Sequence, residues 1–106
     1  MVVHWGLARI DDETIVVGSG GFYRGFPDGV GEIGYVLLPA YRGSGYATEA
    51  VRAITRFGFD VLGLRQITAF TDQANAASAA VLRRADFREV PVAQDPASRQ
   101  FLRYRL

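Results

Sequence analysis

The sequence has no cysteine, no lysine and a single histidine, His4. Without cysteine there is no disulfide framework, no thiolate metal site and no cysteine nucleophile. One histidine is too few for a histidine-built metal centre, so no metal is expected. All 12 basic residues are arginine, set against 11 acidic ones, and a net charge of +1 provides no field that would favour nucleic acid. Arginine suits bidentate contacts with phosphate or carboxylate, but a coding bias is the simpler cause of its exclusive use. No apolar run is long enough to span a bilayer and no charged-then-apolar leader opens the chain, so the expectation is a cytoplasmic protein without a membrane partner.

What is present is enough for a core. Hydrophobic residues make up 49% of 106, which fits one domain over residues 1–106. Residues 2–10 (VVHWGLARI), 14–23 (TIVVGSGGFY) and 30–38 (VGEIGYVLL) read as strands of an antiparallel meander, with Asp-Asp-Glu and Pro-Asp-Gly turn chemistry between them. The glycines of the second strand suggest a bulge or a close backbone approach. The period then changes. Between residues 46 and 62, Ala47, Val51, Ile54, Gly58 and Val61 recur at spacings of four and three, the stripe of a buried helix face. Glu49, Arg52, Arg56 and Asp60 fall opposite, with Arg56 and Asp60 spaced for an ion pair. Residues 65–71 form a short strand. Asn75 can cap a second helix to about Ala85, with Ser78, Val81, Leu82 and Ala85 inward. Strands at 87–92 and 100–106 follow, the last alternating Leu102, Tyr104 and Leu106 with Arg103 and Arg105. The expected fold is α/β (α+β), in the order β-β-β-α-β-α-β-β, a mixed and mainly antiparallel sheet with two helices packed on it.

Chemistry concentrates where the third strand leads into the first helix, at PAYRGSGYATEA, residues 39–50. Glycine tolerates positive φ and lacks Cβ, so a turn built on Gly43 and Gly45 lets several N–H groups converge. The helix from Tyr46 adds its unpaired donors and the positive end of its dipole, together an anion site suited to a pyrophosphate. The same glycines would also serve a merely tight connection. A Walker A loop is excluded, since it requires lysine, and a dinucleotide fingerprint requires a third small residue where Thr48 stands.

The remaining pattern, R-G-x-G-x-A over Arg42 to Ala47 after E-I-G-Y-V-L-L-P, resembles the acetyl-CoA loop of the GNAT N-acetyltransferases, most closely the RimJ/RimL-like branch. A second motif agrees: NAASAAVLRRADF, residues 75–87, is similar to that branch's N-x-x-S-x-x-V-L-x-x-x-G-F. The resemblance covers essentially the whole chain. It implies an acetyl-CoA-dependent transfer of an acetyl group to a primary amine, on a protein N-terminus or a small molecule, by direct attack. It implies that the pantetheine arm lies along Val36, Leu37 and Leu38. The pyrophosphate would sit on the N–H groups of Gly43, Ser44, Gly45, Tyr46 and Ala47, with the Thr48 hydroxyl in support. Arg42 would meet a phosphate or remain a solvated loop cation, and Asn75 would touch the cofactor arm or act only as a helix cap.

Loss of the amine's proton calls for a base. Glu32 aligns with the strand glutamate that serves some family members; otherwise it is a solvent-face carboxylate. Many such enzymes use a tyrosine to protonate the departing thiolate, and Leu82 stands at that place. Ser78 is the branch's alternative, one turn earlier on the same face, unless it is only a small packing residue. Two departures stand out. Asp86 replaces a helix-ending glycine, at an expected cost under about 1 kcal/mol. The family's leading strand and two helices, which wall the acceptor site, do not precede Met1 here, and a homodimer or higher oligomer is expected to cover the exposed edge. Two other readings stay open: a shortened, non-catalytic acyl-CoA-binding or interaction module, and an unrelated α/β anion-binding domain.

Overall fold

The computed structural model describes residues 3–8, 16–22, 26–37, 45–91 and 97–105. Its elements are β1 (Val3–Ala8), β2 (Val16–Phe22), β3 (Val30–Leu37), α1 (Tyr46–Asp60), β4 (Gln66–Asp72), α2 (Ala76–Arg84), β5 (Arg88–Val90) and β6 (Ser98–Tyr104), in the expected order. They form a six-stranded sheet ordered β1-β2-β3-β4-β6-β5. Among the described strands only β3 and β4 run parallel; the other neighbours are antiparallel. The reason is chain length: α1 carries the chain back along the sheet between β3 and β4, as a parallel pair requires.

The glycines of β2 fulfil both expectations. The β1–β2 register slips between Leu7↔Gly18 and Ala8↔Val16, leaving Val17 as the extra residue of a bulge. At Gly20 a Cβ would lie 2.9 Å from Ile54 Cδ1, so helix and sheet do approach closely there.

Helix α1 buries a broader face than its apolar stripe suggested. Val51, Ile54 and Gly58 are inside as expected, joined by Thr48, Ala50, Thr55 and Phe59. Ala47 is half-buried. Val61 is a correction: it is the C-cap and 66% exposed. The helix stops two residues early because the chain reverses at left-handed Gly63 (φ 68°), and Leu64 enters the core in place of Val61. Arg56 and Asp60 are both exposed, and among the described residues no ion pair joins them, in keeping with the small gain such pairs offer in water.

Helix α2 starts at Asn75, whose side chain accepts the Ser78 N–H at 3.0 Å. Ala79, Leu82 and Ala85 are buried, while Ser78 and Val81 are half-buried. Asp86 takes the left-handed conformation of the glycine it replaces, at φ 70°. The Phe87 N–H bonds to Leu82 O at 2.9 Å and the Asp86 N–H to Arg83 O at 3.0 Å, the paired closing bonds of a Schellman motif. Two guanidiniums complete the ending: Arg52 donates to Arg84 O at 2.7 Å and Arg103 to Ala85 O at 3.2 Å. Strand β6 therefore turns its arginine face, with fully buried Phe101, toward the helices, and Arg103 lies over the Phe59 ring. Leu102 and Tyr104 take the other face; Leu106 lies outside the described residues.

The core joins Phe22, Ile33, Val51, Ile54, Leu64, Ile67, Leu82 and Phe101 between the sheet and both helices. Gly58 sets how near α1 comes: a Cβ there would stand 2.7 Å from Phe22 Cζ and 2.9 Å from Ile67 Cδ1. Alanine improves helix propensity by about 0.5–1 kcal/mol, but forcing a methyl into a packed core costs about 1–3 kcal/mol. Both neighbours are 0% exposed and have nowhere to go. Gly58→Ala is therefore expected to lower the midpoint of urea unfolding at unchanged slope, and a raised midpoint would mean that the core yields.

Candidate functional site: a wedge between parallel strands

β3 and β4 share only a short ladder, from Val30↔Gln66 to Ile33↔Ala69. Beyond it β3 pairs with β2 alone, through Gly34 and Tyr35 to Leu37, and β4 pairs with β6 alone, through Phe70 to Asp72. The strands part at their carboxyl ends, where ligands of α/β sheets collect. The opening is a cleft of about 360 Å³. Ile33, Gly34 and Tyr35 form one wall and Ala69 to Asp72 the other, with Asn75, Ser78 and Leu82 of the α2 segment closing the helix side. On the β4 side, the outer backbone of β3 has no strand neighbour among the described residues.

The predicted site residues fall around this wedge in three groups. Asn75 and Ser78 line it directly. Glu32 lies next to it but on the other face: Ile33 is 4% exposed and packed toward the helices, so alternation turns Glu32 and Gly34 to the opposite side. Glu32 and Ser78 thus flank the opening from opposite faces of the sheet. Val36 and Leu37 continue β3 beyond the last parallel pair. The third group begins α1. Gly45 is its N-cap, left-handed at φ 82°, with no side-chain cap. A Cβ on Gly45 would meet nothing within 4 Å, so its surroundings are open. Tyr46 and Ala47 are half-buried, and Thr48 is 7% exposed. Leu38, Arg42, Gly43 and Ser44 lie outside the described residues.

One wall residue escaped the motif reading. Tyr35 packs its ring against the core, and its hydroxyl is buried without a hydrogen-bond partner among the described residues. Burial pushes its pKa above the usual tyrosine value of 10.0, and the nearby Ser78 hydroxyl acts in the other direction. The Ser78 hydroxyl is therefore near enough to act on the phenol, although the two make no full hydrogen bond. The signal was present in E-I-G-Y: alternation sets Tyr35 opposite Glu32, on the helix side.

A second concavity, about 470 Å³, lies between the C-terminal half of α1 and the end of β6. Its arginines Arg52 and Arg103 are occupied in capping α2, and Asp60 and Asp86 share the groove with Arg56 and Arg105. It offers no comparable set of converging groups. Elsewhere Glu89 holds Arg83 at 3.0 Å and Arg99 at 2.7 Å. Its carboxyl sits below the ordinary range, chiefly through the Arg99 hydrogen bond. Among the described residues, no group of three or more histidine, cysteine, aspartate or glutamate side chains is placed to hold a metal ion. No described helix is long and apolar enough to cross a membrane.

The mixed sheet parts between two parallel strands, each leading to a helix, and comparisons with known proteins show which family has this scaffold. The family model described as an acetyltransferase (GNAT) domain matches residues 2–88. YnaD of Bacillus subtilis, an uncharacterized N-acetyltransferase by name, is 36% identical over 73% of this chain and 45% of its own length. YoaA of the same organism, named likewise, is 31% identical over 82% of this chain and 49% of its own. A GNAT-family acetyltransferase structure from Bacillus anthracis superimposes with a TM-score of 0.84 at 26% identity, covering 95% of this chain and 65% of that one. The ribosomal-protein-S5-alanine acetyltransferase of Vibrio fischeri shares the fold, with a TM-score of 0.79 at 19% identity over 97% of this chain and 61% of that one. The chain belongs to the GNAT acetyltransferase family. It spans about half the length of the curated relatives it matches.

The buried Tyr35 phenol makes a checkable electrostatic statement. Its folded pKa exceeds its unfolded value, so its share of stability is complete below pH 10.0 and is lost as pH rises through the folded pKa. Phenolate absorbance followed against pH should show one tyrosine titrating later than the others. Tyr35→Phe should remove that late component, and a late component surviving the substitution would assign it to another tyrosine.

Proposed function

We propose that the protein is an acetyl-CoA-dependent N-acetyltransferase of the RimJ/RimL-like type, acting on a primary amine. The observation that carries this reading is the parting of β3 and β4 beyond Ile33↔Ala69, in a chain whose next helix opens on left-handed, uncapped Gly45. The residues suit a coenzyme A thioester on several grounds. The backbone of β3 from Gly34 to Leu37 borders a gap that an extended amide chain can pair with. Gly45 leaves open space beside the uncapped first turn of α1, where N–H donors and the helix dipole favour a diphosphate. Val36, Leu37 and Leu38 hold the arm, and Arg42 to Thr48 hold the diphosphate. Asn75, already engaged with the Ser78 N–H, borders the same wedge.

When bound, acetyl-CoA supplies an acetyl group activated as a thioester. Glu32 accepts the proton that the amine gives up on attack, from the open face of the sheet. Ser78 returns a proton to the departing sulfur from the helix face. A thiol of pKa about 8.5 leaves readily, so a weak donor suffices. No metal enters this chemistry. The reading also includes a single domain over residues 1–106, a cytoplasmic setting and a homodimer. Strand β1 stands at the sheet edge, and Phe70 and Tyr104 are 47% and 49% exposed on the face away from the helices. Light scattering at micromolar concentration is expected to give at least twice the chain mass; a monomer would remove the dimer.

Function is tested by titrating acetyl-CoA and by following thiol release with a thiol-reactive dye, which the cysteine-free chain leaves without background. Binding is expected, and Gly45→Trp should abolish it. Release should depend on an amine from a panel of peptides, polyamines and amino sugars. Glu32→Gln should slow turnover by about 100-fold while leaving acetyl-CoA affinity intact. Binding without turnover across the panel would favour a non-catalytic acyl-CoA module, and no binding would exclude both.

A further inference from the structure

We infer that Tyr35 is a positioning residue for Ser78: its hydroxyl donates to Ser78 Oγ when the wedge is filled and aims the serine's own proton into the cleft. The inference rests on the proposed role of Ser78 as proton donor and extends it to a group that neither motif assigns. Three observations carry it. Tyr35 is the first residue beyond the last β3–β4 pair on the helix-side face, so its ring stands at the mouth of the parting. Among the described residues its buried hydroxyl makes no full hydrogen bond, although buried polar groups are nearly always paired and Ser78 is near enough to act on it. Ser78 lines the same cleft on the facing helix, and its turn is already fixed by the bond from its N–H to Asn75 Oδ1.

The chemistry follows from what each hydroxyl can do. A serine hydroxyl has one proton and two acceptor lone pairs. If Tyr35 occupies an acceptor position, the serine proton is free to point at the departing sulfur. A hydroxyl that is itself receiving a hydrogen bond is also the better donor. As the serine proton passes to sulfur, the Tyr35 hydrogen bond stabilises the charge left on Oγ until solvent or a returning proton restores it. Tyr35 keeps its own proton throughout. Its raised pKa fits that duty, because a phenol that resists ionisation remains a donor across the neutral range.

An unpaired buried hydroxyl also burdens the fold, and this separates a positioning role from a packing role. Four proteins decide the matter: the wild type, Tyr35→Phe, Ser78→Ala and the double variant. Tyr35→Phe should melt at the same temperature as the wild type or higher, since it deletes an unsatisfied group and keeps the ring. With acetyl-CoA and whichever panel amine the wild type acetylates, its kcat should fall about tenfold at unchanged KM for acetyl-CoA. In the Ser78→Ala background the same change should have no further effect. Calorimetric titration with coenzyme A gives a readout independent of any acceptor: the two single variants should weaken binding of the free thiol to the same small extent, and the double variant no more. A lowered melting temperature with unchanged kcat, equal coenzyme A affinity in Tyr35→Phe and wild type, or additive losses in the double variant would each overturn the inference. If no amine is acetylated, the transferase reading fails by itself, and melting and coenzyme A titration still decide the Tyr35–Ser78 coupling.

Discussion

Everything at the candidate site depends on two parallel strands separating after a short shared run. A ladder continued past Ile33↔Ala69 would pair every inner amide of β3 and close the sheet. Instead β3 commits its outer half to β2 and β4 commits its outer half to β6. Main-chain groups facing such a gap still require partners. An extended ligand with amides of its own can provide them, in the manner of an added strand. The gap is therefore a binding preference written in backbone, which side-chain substitution can tune but not create.

Holding that gap open is the work of the helices. α1 and α2 pack on the same face and on each other, and Arg52 ties α1 to the end of α2. α1 sits close to the sheet because Gly58 presents no side chain to Phe22 and Ile67. α2 is fixed at both ends, by Asn75 at its start and by left-handed Asp86 with two guanidiniums at its close. Ser78 is consequently carried by a short helix with little freedom to shift, as its proposed role requires.

The order of elements, the helix positions and the Asn75 cap were legible in the sequence because each has a local cause: a change of period, a turn residue, a capping side chain. The end of α1 was less so. Val61 continues the apolar stripe, yet the left-handed turn at Gly63 brings Leu64 into the core instead. Thr55 was hidden for a related reason: its polar side chain belongs to the buried face by position and not by type. The inward turn of Arg103 could not be read from alternation, which separates two faces without saying which is covered; Phe59 and the α2 carbonyls decide that. The parting of β3 from β4 had no local signature at all. It belongs to non-local pairing: the β3–β4 ladder ends at Ile33↔Ala69 while each strand continues against the neighbour on its other edge.

Tyr35 illustrates how far a motif reading reaches and where packing must take over. As a letter in E-I-G-Y it marks a strand. In three dimensions it is a half-buried ring packed against the core, and its hydroxyl makes no full hydrogen bond among the described residues. Phenylalanine would fill the same space without that penalty, so stability alone does not account for the hydroxyl. In the proposed reaction Glu32 and Ser78 act from opposite faces of the sheet, one taking a proton and the other returning it. A phenol beside the serine gives the returning side a directional hydrogen bond that an isolated serine lacks. Under the proposed coupling the hydroxyl is one half of an arrangement whose other half, Ser78, takes up its bond when the ligand fills the wedge.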